Sequence, residues 1–203
     1  MAHAIDQTTG SAAFVSRKVE AWHGLGTVID RDVTLQEALE LGGLNYHVEK
    51  LPNIHAYANG EQVVSDQSFF LHRTDTKAIL APHCGKGYTV LQNAEALALV
   101  DSYIAVGKGR IETAGALYEG KKSFVAVTAP GIDLGCDEVR NYVVFQNGFD
   151  WNTSVNAILT SVRVVCANTL GAALQSAQRR IKVKHTANVK QSTGEALALL
   201  GIQ

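Results

Sequence analysis

Residues 54–64 read Ile54-His55-Ala56-Tyr57-Ala58-Asn59-Gly60-Glu61-Gln62-Val63-Val64. An Asn-Gly pair between two extended runs is the strongest short-range hairpin signal, because both residues tolerate the positive φ that a tight turn demands. Strand-like pieces surround it at 45–51, 54–57, 62–64 and 68–73, and residues 74–77 turn the chain into another at 78–81. A second hairpin is expected about Glu119-Gly120 within 110–129. A further strand at 141–146 is expected to turn at Asn147-Gly148, with extended structure continuing through 154–160. Strands arrive in hairpins and not in strand-helix-strand alternation, so the fold class is α+β with a mainly antiparallel, curved sheet and packed helices. The expected organisation is a single domain over residues 1–203.

Helical signals punctuate the strands. Thr34 with Glu37 forms a capping box ahead of Leu35, Ala38, Leu39 and Leu41, and Gly42 and Gly43 end that helix. A second helix opens at Gln92 or Asn93 and runs amphipathically to Gly107. A third follows the apolar stripe Cys166, Leu170, Ala173, Leu174, Ala177 and Ile181. Beyond it, Ile181 and Val183 alternate with Lys182 and Lys184, the pattern of a short strand with one basic face. A fourth helix begins at residues 193–200. Residues 1–33 carry loop and short strand only.

The 203 residues include 18 Lys+Arg, 19 Asp+Glu, 3 Pro and 3 Cys, with 46% hydrophobic residues and a net charge of -1. Scarce proline, balanced charge and few cysteines exclude collagen-like, disordered and disulfide-scaffold classes. No run approaches the roughly 20 apolar residues of a membrane-spanning helix, and no signal peptide is legible, so a cytoplasmic protein with reduced thiols is expected.

The net charge conceals an asymmetry. Residues 151–194 contain no Asp or Glu, while Arg163, Arg179, Arg180, Lys182, Lys184 and Lys190 give them a charge of +6. The rest of the chain balances 12 basic against 19 acidic side chains. Phosphates need cationic donors and are repelled by carboxylates, so an acid-free basic third suits a polyanion. The helix dipole alone favours Arg179 and Arg180 at a helix end, but does not account for Lys182, Lys184 and His185 beyond it.

Other patterns carry less. Gly115 to Lys122 matches the start of a phosphate loop, but Lys122 stands where Ser or Thr should hold magnesium and both flanks read as strands, so a hairpin turn explains it better. Gly24-x-Gly26 and Gly85-Lys86-Gly87 are too short to specify nucleotide binding. His83-Cys84 is the closest pair of metal-ligand types, yet no Cys-x-x-Cys or His-Glu-x-x-His spacing exists, and no metal or cofactor is expected. Cys166 falls on a core stripe, and nothing specifies catalysis by Cys84 or Cys136. His23 fits a satisfied interior histidine, with Gly24 and Gly26 at positions of positive φ.

Six runs occur in order: Trp22-His23-Gly24-Leu25-Gly26-Thr27, Arg73-Thr74-Asp75, Gly87-Tyr88 followed by Gln92-Asn93, Glu112-Thr113-Ala114-Gly115, Arg163 through Leu170, and Lys184-His185-Thr186-Ala187-Asn188. Through them the chain resembles the phage/plasmid-like proteins grouped as a domain of unknown function (number nine hundred and thirty-two). The resemblance implies a setting on bacteriophages, prophages or plasmids in a bacterial host cell, and a C-terminal region that continues past this chain. Element order and charge also resemble the β-β-β-α core of Rad52-like single-strand annealing proteins, which implies ring-forming subunits with a basic groove for single-stranded DNA.

The leading expectation is a non-enzymatic homo-oligomer, with a ring as one form open to it, that binds single-stranded DNA and promotes annealing. Arg163, Arg179, Arg180, Lys182, Lys184, His185 and Lys190 are the phosphate contacts, and Asn168, Thr169, Thr186, Asn188 and Trp151 the candidate base or ribose contacts. One alternative is a binder that sequesters a small nucleotide signal with the same groups. Others are a nucleic-acid-processing enzyme using His23, Asp75 or His185, and a purely structural or interaction protein.

Overall fold

In the computed structural model, which describes residues 3–107, 109–133, 138–177 and 179–186, the chain forms two sheets. Strands β1 (Phe14–Arg17), β2 (Thr27–Ile29), β6 (Ile111–Leu117), β7 (Lys122–Asp133), β8 (Glu138–Gly148), β9 (Val155–Thr160) and β10 (Arg179–Val183) build a seven-stranded sheet. Its order is β10-β9-β8-β7-β6-β1-β2, antiparallel except for the parallel β1–β2 pair. Strands β3 (Val48–Ala56), β4 (Gln62–Arg73) and β5 (Ile79–Gly85) form a separate antiparallel sheet. The helices are α1 (Leu35–Leu41), α2 (Asn93–Ala96), α3 (Leu99–Gly107) and α4 (Ala167–Gln175). The α+β class with hairpin connections is as the sequence implies.

The large sheet is covered on both faces, which explains why Phe124, Val125, Ala126 and Val127 are all buried although side chains alternate along a strand. Val125, Val127, Val143, Phe145 and Ala157 meet Leu39 of α1, Val100 and Tyr103 of α3, and Val48, Leu71 and Leu80 of the small sheet. Phe124, Ala126, Tyr142, Val144 and Ile158 face the opposite way, against Leu170 and Ala173 of α4. Helix α1 begins as its capping box requires, with Thr34 accepting from the Glu37 amide and the Thr34 amide donating to the Glu37 carboxylate.

Three expected elements differ. The single helix from Gln92 to Gly107 divides into α2 and α3, with Leu97 as the C-cap of the first. The third helix stops at Gln175 with Ser176 as its cap, and Cys166 is its N-cap. Arg179 and Arg180 therefore lie in β10 and not at a helix end, because the alternation of 180–183 lets the segment pair with β9 in the register Ile181↔Ala157 and Lys182↔Asn156. The turn placed at Asn147-Gly148 lies further on: Asn147 is fully buried and donates to the carbonyl of Leu91 and to Asn93 Oδ1. The chain reverses instead at Asp150, whose carboxylate accepts from the amides of Asn152 and Thr153 and from the Thr153 hydroxyl. The expected fourth helix at 193–200, Cys136, Asn188 and Lys190 lie outside the described residues.

Arg73, only 1% exposed, ties the parts together. Its guanidinium pairs with Asp6 of the N-terminal segment and with Asp75 at 2.7 Å, and lies 4.0 Å over the ring of Tyr46, whose hydroxyl donates to the Gly120 carbonyl at 2.8 Å. The phosphate-loop-like run thus ends in the β6–β7 hairpin, packed against a buried arginine. Gly26, φ +89°, precedes β2, and a Cβ there would overlap the Phe14 carbonyl.

Arg73→Met should cost about 3–5 kcal/mol in denaturant unfolding, because it strands the Asp6 carboxylate in the interior; a loss below about 1 kcal/mol would remove the pair from its central role. Gly26→Ala should destabilise more than Gly60→Ala, both having positive φ but only Gly26 facing backbone within reach. Strain alone accounts for about 1–3 kcal/mol at either position, and equal thermal shifts would refute the overlap at Gly26.

Candidate nucleic-acid interface

β10 is an edge strand, so its basic residues reach solvent. Ile181 and Val183 pack partly against the core, while Arg180 and Lys182 project from the other face and Lys184 follows, all three exposed. Just past the strand the chain meets the loop after β5. There the Thr89 amide donates to the His185 carbonyl at 3.2 Å, and the His185 ring stacks on Tyr88 with centroids 5.0 Å apart and planes 17° from parallel. The result is a cleft of about 530 Å³ whose walls include Lys182, Lys184, Thr186, Trp151, Ser154, Gly85 and Gly87.

The wall opposite the lysines is polarised by a third one. Lys50 Nζ donates to the carbonyls of Gly85, Lys86 and Tyr88 at 3.1, 2.8 and 2.8 Å and lies 4.5 Å over the Phe69 ring. In a planar trans peptide the N–H points opposite to its C=O. Three carbonyls drawn to Lys50 therefore turn the amides of Lys86, Gly87 and Thr89 the other way, and the Thr89 amide does meet His185, a cleft residue. A Cβ at Gly85 or Gly87 would find open space, so the backbone there is approachable. Lys182 and Lys184 give the lining of the cleft its positive charge, with the backbone of Gly85 and Gly87 as the approachable part of the rest.

Trp151 stands at the rim, 49% exposed, in the turn between β8 and β9. Its φ of +64° is unusual for a large residue and is held by the Asp150 turn on one side and by an edge-on contact with His83, centroids 5.5 Å apart, on the other. His83 is itself fixed by Ser68 at 3.0 Å, which accepts from Asn53 at 2.7 Å. Asp150 is the one carboxylate in this turn, and it is occupied by its three turn donors and by Lys122 at 3.6 Å.

Of the residues singled out in the sequence, the cleft brings together Trp151, Lys182, Lys184, His185 and Thr186. His185 is not a cation there. Burial pushes its pKa below the ordinary histidine value although the Thr89 carbonyl and Asp150 oppose this, so the ring is neutral at neutral pH. Its Nδ1 donates to the Thr89 carbonyl at 3.3 Å, and Nε2 has no partner among the described residues. Arg180 flanks the cleft and donates to the Leu174 carbonyl at 2.9 Å; Arg179 shares the strand and is exposed.

Three others serve elsewhere. Arg163 pairs with Glu112 at 3.1 Å and donates to Ser16 Oγ and to the Val19 carbonyl, pinning β6 to the segment after β1. Thr169 is consumed at the start of α4, accepting from the amides of Val165 and Cys166 and donating to the Cys166 carbonyl. Asn168 sits beside it on the first turn of α4, away from the Leu174 end that Arg180 reaches. Burial opposes it, but the side-chain contact with Thr169 and hydrogen bonds from the Thr169 and Asn168 amides and Trp22 lower the Cys166 thiol pKa.

Within the Trp22 to Thr27 run, His23 and the two glycines shape the chain, while Trp22 is exposed. His23 Nδ1 accepts from the Leu25 amide at 3.0 Å, so Nε2 carries the proton and donates to the Val165 carbonyl at 2.8 Å; Gly24 and Gly26 both adopt positive φ. Asp75 serves Arg73, and no group of three or more metal-ligating side chains occurs among the described residues. Lys50, Tyr88 and the Lys86 and Gly87 amides were not legible as site residues, because their role arises only when β3 and β5 are brought together across β4. No helix among the described residues is long and apolar enough to cross a membrane.

No curated protein and no solved structure matches the chain. Residues 82–203, which carry β6 to β10, α2 to α4 and the residues lining the cleft, match the family described as Domain of unknown function (DUF932). With more than half its length matched in this way, the chain belongs to the DUF932 family.

Proposed function

We propose that the protein binds single-stranded DNA along β10 and the adjoining cleft, and that as a homo-oligomer it promotes strand annealing. The observation that carries this reading is the meeting, in one cleft, of a half-exposed tryptophan with two unshielded lysines from an acid-free segment. Successive phosphates take Lys182 and Lys184, and a base stacks on Trp151, whose indole face tolerates any sequence. The Lys86 and Gly87 amides supply neutral donors to a phosphate oxygen from the opposite wall. The order β7, β8, β9, α4 agrees with the β-β-β-α pattern of annealing proteins, which supports the reading by analogy alone. The phage or plasmid setting that the sequence resemblance implies belongs to the same proposal.

A second reading keeps these groups and makes the ligand a free nucleotide. It is favoured by the size of the cleft and by the unpartnered Nε2 of His185, an acceptor suited to a ribose hydroxyl or a base amino group.

Fluorescence anisotropy of a labelled oligonucleotide, titrated at several salt concentrations, separates the two. Lys182→Glu/Lys184→Glu should abolish most of the affinity and lower the salt slope by about 1.4, at about 0.7 per phosphate contact on a single strand. Trp151→Ala should weaken binding by about 1–3 kcal/mol and leave the slope unchanged. Thr169→Val and Arg163→Met should leave the affinity unaltered, although both should reduce thermal stability. Absence of oligonucleotide binding at low salt overturns the proposal, and saturable mononucleotide binding with weak salt dependence puts the second reading in its place.

A further inference from the structure

The β3–β4 hairpin outruns its sheet. β5 pairs with β4 only between Ser68↔Gly85 and His72↔Ile79, while the hairpin continues past a bulge through Ile54↔Val64, His55↔Val63 and Ala56↔Gln62. Every residue in 54–64 is exposed, with Ile54 and Val64 at 60% and Tyr57 at 56%. An isolated two-stranded ribbon is marginal in water, and a ribbon showing apolar side chains on both faces and unpaired backbone along both edges is a template for pairing. Residues 51–72 contain no Lys or Arg; Glu61 and Asp66 are their charges, so the arm is acidic. β10 ends the large sheet, pairing with β9 along one edge and with no described strand along the other. It carries Arg179, Arg180 and Lys182 and lies in the acid-free segment.

We infer that the arm of one copy adds as a strand to the β10 edge of a second copy. The complementary charge of the two elements selects this occupant: an arm pairing with another arm would place acid against acid, and two β10 edges would place cation against cation. Strand addition uses backbone groups in the plane of the sheet and leaves side chains standing perpendicular to it, so Lys182 stays available to a ligand. The two patches differ, which makes the contact head-to-tail: each copy offers one arm and one edge, and the product is a ring or an open filament. The inference is independent of nucleic-acid binding.

Light scattering on the full chain tests it with two variants. In one, residues 54–64 are replaced by a two-residue Asn-Gly turn; in the other, Arg180→Glu/Lys182→Glu reverses the edge. The wild type should exceed its monomer mass of 21.7 kDa and dissociate as salt rises, whereas each variant alone should be monomeric and still unfold in one cooperative thermal transition. Mixed together, the shortened copy supplies the intact edge and the other supplies the intact arm of opposite charge, so a 1:1 dimer of twice the monomer mass should form and nothing larger. Should loss of the Arg180 bond to Leu174 unfold the second variant, Lys182→Glu/Lys184→Glu takes its place. A monomeric wild type, variants that still assemble, or a mixture that stays monomeric would each overturn the inference.

Discussion

A buried arginine is the constraint on which the rest of this structure depends. Arg73 ends β4, and its guanidinium collects Asp6 from the N-terminal segment, Asp75 from the following turn, the Tyr46 ring from the chain leading into β3, and the neighbourhood of Gly120 from the β6–β7 hairpin. Taking such a group out of water is costly unless its donors are met in the right geometry. The fork of five N–H groups suits two carboxylates at once, a task for which lysine has the charge but not the shape. Asp75 keeps its proton off below the usual carboxylate range, chiefly through its hydrogen bond to Arg73, so its share of stability is present at neutral pH and lost as pH falls through that lowered value. Because the pair joins the small sheet to the large one, it also sets where β5 and the loop after it stand relative to β10.

A second buried polar set repeats the logic. Asn93 donates to the Leu44 carbonyl and accepts from Ser123 and Asn147, while Asn147 donates also to the Leu91 carbonyl. Gln92 bonds both backbone groups of Val48, standing in for a neighbouring strand. These amides hold the start of α2 between the two sheets, and the loop that carries Tyr88 leads directly into it. The cleft is thus placed by satisfied polar networks on either side, and its lining can be left with open donors.

Local signals in the sequence located most of the elements. The capping box of Thr34 and Glu37, the Asn59-Gly60 turn, the Glu119-Gly120 hairpin and the basic alternation of 181–184 all describe interactions within a few residues, and all are present. Errors arose where a distant partner decided the outcome. Asn147-Gly148 resembles a turn until Leu91 and Asn93 are brought beside it. The apolar spacing from Cys166 to Ile181 continues a helix until the open edge of β9 offers a ladder. The site was half legible for the same reason: the charge pattern exposed Lys182 and Lys184, whereas Lys50 spends its charge on three carbonyls contributed by the end of β5 and the loop after it. Arg163 and Thr169, polar and suitably placed in sequence, are drawn into structural roles by Glu112 and by the first turn of α4.

The edges of the two sheets give the final step. Lysine on an edge strand is a common defence against unwanted pairing, and for β10 taken alone that would explain Lys182 without any ligand. The same defence is missing from the β3–β4 arm, which is longer, more exposed and more apolar, and where unwanted pairing would be the greater hazard. A chain that guarded its edges by charge would protect the arm first. The basic side chains of β10 are therefore better explained by what they attract than by what they repel, and the acidic, unguarded arm is one surface of matching character that the protein itself provides.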